Sequence, residues 1–391
     1  MQSVGIVAEY NPFHNGHLYH LQKVKEMFPE TVIILVLGGS FTQRGDVSIL
    51  DKWTKTKIAL EAGADMVVEL PFSFATGSAD IFAEGAMAIL NYLQAEAVVF
   101  GSESNDIEGM EKLVDIQLQD PTFSSLVQVY LRMGYNYPTA LSQALTEITG
   151  HTYHLPNDLL GISYIKAIKR HHYSIRPYSI KRTTNYHEQD STQTITSATT
   201  IRNRLQQKKA IEEQVPAFVY PYLPKKIVTI DDYFCYCKYK ILCDHQLDQY
   251  ALVDKGMAQK LKQHINQCQN FDQLIHCVKS RNLTYNRIAR MLLYILCGYT
   301  KNMAENAKMI TYIRLLGFSK NGQQYLNKIK KEIEVPIISK FKRDKDPMLA
   351  FEQQVTNIYA LAFPTDQQLQ LIKQETQTSP IKKEDLYEIN A

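Results

Sequence analysis

Two histidines flanking an Asn-Gly pair, His14-Asn15-Gly16-His17, are the residues of this chain best placed to do chemistry. An apolar run, Val4-Gly5-Ile6-Val7, and a turn containing Asn11-Pro12 precede them; the helical pattern Leu18, Leu21, Val24, Met27 follows. At a helix start the first N–H groups have no partner and the dipole favours negative charge, so phosphates are bound there. Imidazoles at such a point can stabilise a phosphate that gathers charge under attack, and Gly16 lets backbone come close to it. His14 and His17, three residues apart, fall on one side of the helix start. As a bare string H-x-G-H recurs by accident. Its position between a first strand and a first helix is what makes a nucleotide site the reading here.

The elements that must position this site follow a strand–helix alternation. Residues 4–7, 31–37, 66–70 and 97–100 are short, apolar and bounded by turn residues, as strands buried on both faces are. Helical spacing lies between and after them, over 17–28, 52–62, 79–93 and 106–119, then 159–170 before a strand at 174–180. This predicts a Rossmann-like α/β domain with a parallel, doubly wound sheet and a crevice at the strand C-terminal ends: Gly38-Gly39-Ser40, Pro71-Phe72 and Gly101-Ser102-Glu103. The stretch 182–196 is polar, threonine-rich and loop-like, and Ser197 starts a second helix with hydroxyls in its first turn. A proline- and aromatic-rich junction at 216–224 divides the chain into an expected nucleotide-binding domain, 1–215, and an all-helical domain, 216–391. Residues 374–391 are expected to form a loosely held tail.

Composition narrows the class. The chain has 391 residues, 45% hydrophobic and 21% charged, which is ordinary for a globular protein of two domains. A formal net charge of +3 does not by itself indicate nucleic-acid binding, so any basic surface must come from local clusters. No run approaches the ~20 apolar residues of a membrane span, and the N-terminus leads directly into a strand; no membrane partner and a cytoplasmic location are expected. All six cysteines lie between 235 and 297, without the paired spacing of a zinc site, and read as reduced thiols in a packed region; no metal ligands are assigned.

These motifs together are recognisable. His14-Asn15-Gly16-His17 resembles the signature of the HIGH-type nucleotidyltransferase superfamily, and Thr196-Ser197-Ala198-Thr199-Thr200-Ile201-Arg202 resembles its second, phosphate-facing motif, with Ala198 where a hydroxyl is usual. The longer stretch Gly5-Ile6-Val7-Ala8-Glu9-Tyr10-Asn11-Pro12-Phe13-His14-Asn15-Gly16-His17 is similar to the bacterial tRNA(Met) cytidine acetate ligase family. So are Phe41-Thr42-Gln43-Arg44-Gly45, Val68-Glu69-Leu70-Pro71, Phe100-Gly101-Ser102-Glu103, Asn157-Asp158-Leu159-Leu160-Gly161 and Leu315-Leu316-Gly317-Phe318. Ser40 stands where that family carries Asn.

The resemblance implies that acetate and ATP condense to acetyladenylate, and that the acetyl group then passes to N4 of the wobble cytidine of elongator tRNA(Met), giving N4-acetylcytidine. His14 and His17 would be catalytic. The ATP site would comprise Val7-Ala8-Glu9-Tyr10-Asn11-Pro12-Phe13-His14-Asn15-Gly16-His17-Leu18-Tyr19-His20 with Gly101, Asn157, Arg182 and Ser197, and Mg²⁺ would accompany ATP. Gly101 leaves room for a ring, Asn157 can donate and accept, and Arg182 is a fixed cation suited to phosphate. Arg44 reads equally as a site residue or a solvated charge, and Glu69 as a structural strand-end carboxylate.

For RNA, the aromatic-plus-basic group Arg281, Tyr285 and Arg287 and the lysines Lys330 and Lys331 are the candidate contacts. Lys166/Lys169/Arg170/His171/His172 and Lys340/Lys342/Arg343 are further basic clusters. Two rival readings remain at this stage: a small-molecule adenylyltransferase making a dinucleotide cofactor, and a non-catalytic RNA-binding protein with a relic nucleotide pocket.

Overall fold

A computed structural model describes residues 2–150, 155–182, 194–341 and 346–388. Lys342 and Arg343 of one basic cluster, and 183–193 of the threonine-rich loop, lie outside the described residues. The first half runs β1 (Ser3–Ala8), α1 (Asn15–Met27), β2 (Val32–Gly38), α2 (Lys52–Ala62), β3 (Met66–Leu70), the single turn α3 (Phe72–Ala75), α4 (Ala79–Tyr92) and β4 (Ala97–Ser102). It continues with α5 (Ile107–Gln119), α6 (Pro121–Arg132), α7 (Tyr137–Thr149), α8 (Pro156–Arg170), β5 (Arg176–Lys181) and α9 (Ala198–Gln206).

The sheet order is β5-β4-β1-β2-β3, all parallel. Every residue of β2 and β3 is buried, as strands covered on both faces must be. The chain builds outward from β1 through β2 to β3, then returns to the other side of β1 for β4 and β5. The topological switch therefore falls between β1 and β4, and a ligand crevice is expected beyond their C-terminal ends. Those ends are Ala8 and Ser102.

The second half was expected to be all-helical. It is mostly so: α10 (Phe234–Cys243), α11 (Lys255–His264), α12 (Phe271–Val278), α13 (Tyr285–Cys297) and α14 (Lys301–Asn306) come first. Then β6 (Ile313–Phe318) adds antiparallel to β3, so the second half completes the first half's sheet. After it come α15 (Lys320–Ile329), β7 (Ile337–Ile338), α16 (Pro347–Ala360), α17 (Thr365–Gln377) and β8 (Ile381–Lys382), with β7 and β8 both pairing parallel to β6. The strand was hidden because its sequence, Ile-Arg-Leu-Leu-Gly-Phe, carries a charge and a glycine. Both fit the fold: Arg314 is buried in ion pairs, and a Cβ on Gly317 would come within 2.8 Å of Thr56 Cγ2 and 2.9 Å of the Ile381 carbonyl oxygen. The described part of the tail, 374–388, is likewise held rather than loose, since Glu375 is buried and β8 joins the sheet.

Two features fix the helical region against the crevice. Phe41 and Phe72, which follow the ends of β2 and β3, enter its core; Phe41 meets Tyr233 and Tyr359 edge-on, and Phe72 meets Tyr294 and Phe351. Beneath them lies a buried charge cluster. Lys52 Nζ donates to Glu69 Oε1 at 2.5 Å and Glu375 Oε1 at 3.0 Å, while Arg314 pairs with Glu375 and stands 3.5 Å from Glu69 Oε2. Glu69 is thus a structural strand-end carboxylate, as its position suggested.

A fifth charge-bearing group, Glu352, accepts the Phe72 N–H at 2.6 Å; burial, reinforced by Glu69, pushes its carboxyl up to about 8. The folded state therefore holds a proton on Glu352 that the unfolded chain has released above its ordinary pKa of 4.5. Stability from this group is full below that value and is lost as pH rises towards 8. Glu352→Gln, which keeps the acceptor and removes the titration, should remove this fall: the variant gains on the wild type between pH 5 and 8 in urea melts. Taking the difference cancels every other titrating group.

Candidate functional site

The first motif is built from the end of β1. After Ala8, Tyr10 takes a positive φ of 47° and the Asn11–Pro12 bond is cis. Asn11 is consumed by structure: its Nδ2 donates to the Val47 carbonyl at 3.0 Å, and its Oδ1 accepts the Ile49 N–H at 2.9 Å. Phe13 is fully buried in the core. The turn thereby delivers His14 as the N-cap of α1.

His14 and His17 form a reciprocal cap made of imidazoles. His14 Nδ1 accepts the Gly16 N–H at 3.1 Å, and His17 Nδ1 accepts the His14 N–H at 3.3 Å. A neutral imidazole that accepts at Nδ1 carries its proton on Nε2, so these bonds assign both rings as Nε2–H donors. The rings stack at 3.7 Å, and Tyr10 packs against His17 at 4.7 Å. Gly16 has a definite reason: a Cβ there would lie 2.9 Å from His14 Cε1 and 3.3 Å from Ile195 Cγ2. Asn15 anchors the far side, its Nδ2 donating to the carbonyls of Thr194 at 2.9 Å and Glu213 at 2.7 Å.

The site is electropositive yet its histidines are neutral. Burial, helped by the Arg182 charge, holds His14 down to about 3 and His20 to about 4. His17 is lowered well below the usual histidine range by burial, His14, Arg182 and His20. Arg182 follows β5, its N–H donating to the Ser102 carbonyl at 2.9 Å. Its stem lies over Gly101, 3.4 Å from where a Cβ would stand, so part of the room that Gly101 leaves is taken by Arg182. Burial lowers the pKa of Arg182, and Glu103 is the carboxylate that acts on it among the described residues. A guanidinium with no hydrogen-bonded partner among the described residues, beside three neutral imidazoles, is a preorganised place for an anion.

Glu103 and Asp158 clasp β4 to α8. Glu103 accepts Asn157 Nδ2 at 2.5 Å and the Asp158 N–H at 3.0 Å; Asp158 accepts the Ser102 hydroxyl at 2.6 Å and the Glu103 N–H at 2.9 Å. Asn157 thus stands at the crevice rim with its amide already donated to Glu103. Ser197 caps α9, accepting the Thr200 N–H at 3.1 Å.

Two cations that shape the site escaped the sequence reading. Lys55 is 1% exposed, and its ammonium donates to the carbonyls of Glu9, Gly38 and Gly39 at 3.0, 2.7 and 2.8 Å. It ties the ends of β1 and β2 together, and burial lowers it to about 8. On a helix surface Lys52 and Lys55 look like solvated charges, and no spacing signal marks them. Arg202, quoted within the second motif but given no role, donates to the Asn11 carbonyl at 2.8 Å and so joins the two motifs. The Gln43–Arg44–Gly45 loop closes the same side: Glu9 accepts the Gln43 N–H at 2.7 Å, and Arg44, at the tip, is exposed.

The RNA candidates separate into two groups. Tyr285 and Arg287 open α13, whose Arg290 donates to the Gln43 carbonyl at 3.3 Å and whose Ala289–Arg290 backbone presses on Gly45. They lie beside the crevice loop. Tyr285 donates to Asp272 at 3.0 Å, and Arg281 sits over the Tyr135 ring at 5.5 Å. Lys330 and Lys331 instead close α15, near Glu332, which accepts from Gln94 just before β4; that is the strand N-terminal side. An open groove of about 560 Å³ around Lys169, Arg170 and His172 is on that side too. Its charges are already paired, Lys169 with Asp115 at 2.7 Å and Arg170 with Glu84 at 2.5 Å. It has no chemistry to offer the crevice.

Arg182→Met is expected to raise the dissociation constant for a nucleoside triphosphate roughly ten- to a hundred-fold, the worth of charged hydrogen bonds. The same change should stabilise the empty protein, because it removes a half-desolvated charge with no hydrogen-bonded partner among the described residues. Calorimetry and thermal melting check the two signs.

Comparison with known proteins agrees with this geometry. A family model described as HIGH Nucleotidyl Transferase matches residues 1–375. The tRNA(Met) cytidine acetate ligase of Geobacillus sp. (strain WCH70) is 36% identical over 97% of this chain and 100% of its own length. That of Mesomycoplasma hyopneumoniae (strain 232) is 39% identical over 75% of this chain and 92% of its own. Among solved structures, Thermotoga maritima TmcAL without ligand superimposes with a TM-score of 0.90 at 28% identity, covering 98% of this chain and 99% of its own. The same protein bound with alpha-thio ATP gives 0.88 at 28% identity over the same shares.

Proposed function

The chain belongs to the tRNA(Met) cytidine acetate ligase family of HIGH nucleotidyl transferases, and we propose from that premise how its own residues do the chemistry. The enzyme condenses acetate with ATP, then transfers the acetyl group to N4 of a tRNA(Met) cytidine, the wobble cytidine of the elongator species. In the first step an acetate oxygen attacks the α-phosphorus, and the bond to pyrophosphate breaks with its electron pair leaving on pyrophosphate. In the second step N4 attacks the acetyl carbon, the acyl–oxygen bond breaks towards AMP, and the N4 proton leaves to solvent.

The observation that carries this reading is the pair of Nε2–H imidazoles at the switch point between β1 and β4, with an Arg182 guanidinium that has no hydrogen-bonded partner among the described residues. His14 and His17 donate to α-phosphate oxygens as charge gathers on them, Arg182 holds a neighbouring phosphate, and Ser197 sets the start of α9 towards the nucleotide. No covalent nucleophile is needed. Mg²⁺ would neutralise phosphate charge, with ATP oxygens and water as its main ligands. The crevice carboxylates Glu9 and Glu103 each accept main-chain N–H groups, and no cluster of three His, Cys, Asp or Glu among the described residues could cage an ion. Residues 1–215 would supply adenylation and 216–391 the hold on tRNA, with Arg281, Tyr285 and Arg287 beside the crevice loop as the foremost contacts. Among the described residues no helix is long and apolar enough to cross a membrane.

Acetate-dependent exchange of labelled pyrophosphate into ATP, without tRNA, tests the first step. Exchange that needs acetate supports the ligase. A product formed only with a mononucleotide acceptor would move the protein to the cofactor-making adenylyltransferases.

A further inference from the structure

A second, smaller concavity lies against the crevice. It is a groove of about 170 Å³ between residues 46–49, the inner face of α9 and residues 227–230. That is below the roughly 300–1,000 Å³ of a drug-sized ligand site and suits a single ring. Its walls are apolar, formed by Val47, Ile49 and Ile227 among others, while Asp46, Arg202 and Gln206 supply the polar groups.

Three observations give the groove a direction and a chemistry. Arg202 lines it and donates to the Asn11 carbonyl at 2.8 Å, so its inner end abuts the motif that carries His14. The loop that bears Asp46 is pressed on α13 through Gly45 and Arg290, which puts its outer side next to the exposed Tyr285 and Arg287. Asp46 keeps acceptor capacity: Oδ1 accepts the Val47 N–H at 2.8 Å, but Oδ2 meets Arg202 only at 3.6 Å, beyond hydrogen-bond reach.

We propose that this groove receives the cytosine of the acceptor nucleotide, its N4 amine donating to Asp46 and its O2/N3 edge accepting from Gln206. A carboxylate is the natural partner of the cytosine N4 amine, and an amide or guanidinium that of its acceptor edge. Uracil presents a carbonyl where cytosine presents the amine, so the same carboxylate repels it. The apolar walls take the two ring faces, which single-stranded RNA bases offer when splayed from a loop. An apolar side chain of a protein partner in this place would leave Asp46 and Gln206 unmatched. The inference rests on the ligase reading above, and it adds where the acceptor base sits and what selects it.

The test uses the full-length protein and two synthetic anticodon stem-loop RNAs that differ only in cytosine or uracil at the acceptor position. The wild type should bind the cytosine form about ten-fold or more tightly than the uracil form. Asp46→Asn should bring that ratio close to one. Ile227→Trp, which fills the groove from its wall, should keep acetate-dependent pyrophosphate exchange within two-fold and lose acetyl transfer to RNA at least thirty-fold. Retained exchange shows that the variant is folded. Normal acetyl transfer by Ile227→Trp, or undiminished discrimination by Asp46→Asn, would overturn the groove while leaving the ligase reading in place. Absence of both exchange and acetyl transfer in the wild type would bring down the ligase reading, and this inference with it.

Discussion

His17→Ala is expected to lower acetate-dependent pyrophosphate exchange by about 10²- to 10³-fold, the usual loss when one preorganised donor is removed from a charge-gathering site. The ring is held by the His14 N–H at Nδ1, by stacking on His14 and by the tilted Tyr10 ring, so its donating atom is Nε2. This makes the substitution pattern specific. Gln places an N–H near the position of Nε2 and should recover part of the activity; Asn reaches only the Nδ1 position and should not. Loss in kcat rather than in the KM for ATP identifies a donor that acts in the transition state. The opposite pattern, raised KM with unchanged kcat, would make His17 a ground-state contact. The neutral histidines also set a pH signature for the empty protein. Their folded-state pKa values are depressed, so their contribution to stability is present above the ordinary histidine pKa of 6.5 and is lost as pH falls through about 4. Since His17 is one of these groups, His17→Ala should soften that acid limb while removing the chemistry.

Glu375→Ala is expected to lower stability by about 3–5 kcal/mol, seen as a marked drop in the urea midpoint, because it leaves buried cations short of a partner. Glu375 accepts from Lys52 Nζ at 3.0 Å, and both its side chain and its carbonyl accept from Arg314. Lys52 keeps Glu69 at 2.5 Å, but Arg314 is left with Glu69 at 3.5 Å and its stacking on Trp53 and Phe341. A double change, Arg314→Met with Glu375→Leu, should be far milder than either single one, since a buried pair replaced by packed apolar groups is often neutral. The cluster joins α17 to β3 and β6, and Gly39, at the β2 end, stands 3.4 Å from Glu69 when given a Cβ. Damage here should therefore also reach the strand ends that Lys55 ties together.

What the sequence could disclose depended on where a residue's partner lies. Four of the five parallel strands, β1 to β4, were legible because burial leaves a short apolar run, and His14 to His17 because a strand, a turn and a helix cap are neighbours along the chain; β5, Arg-Pro-Tyr-Ser-Ile-Lys, has no buried residue and carries no such run. Arg182 was placed in the site by resemblance, yet its decisive property, a guanidinium without a hydrogen-bonded partner among the described residues, is a fact of three dimensions. Lys55, Arg314 and Glu375 were illegible for the same reason. A buried charge reads as a surface charge until its partner is known, and Lys52 and Glu375 are 323 residues apart. β6 was missed because Arg314 and Gly317 broke its apolar run, though each is required by what packs on it. Among the RNA candidates, spacing alone could not tell the α13 group beside the crevice from the α15 lysines on the far side of the sheet.

The proposed activation of acetate bonds one of its oxygens to the α-phosphorus. It is tested most directly by incubating the protein with ATP, tRNA(Met) and acetate labelled with ¹⁸O in both oxygens, then weighing the products. N4-acetylcytidine should retain one labelled oxygen in its acetyl group, with one labelled oxygen in AMP for every acetyl group transferred. Label in inorganic phosphate or pyrophosphate with none in AMP, or acetylcytidine formed with unlabelled AMP, would contradict it.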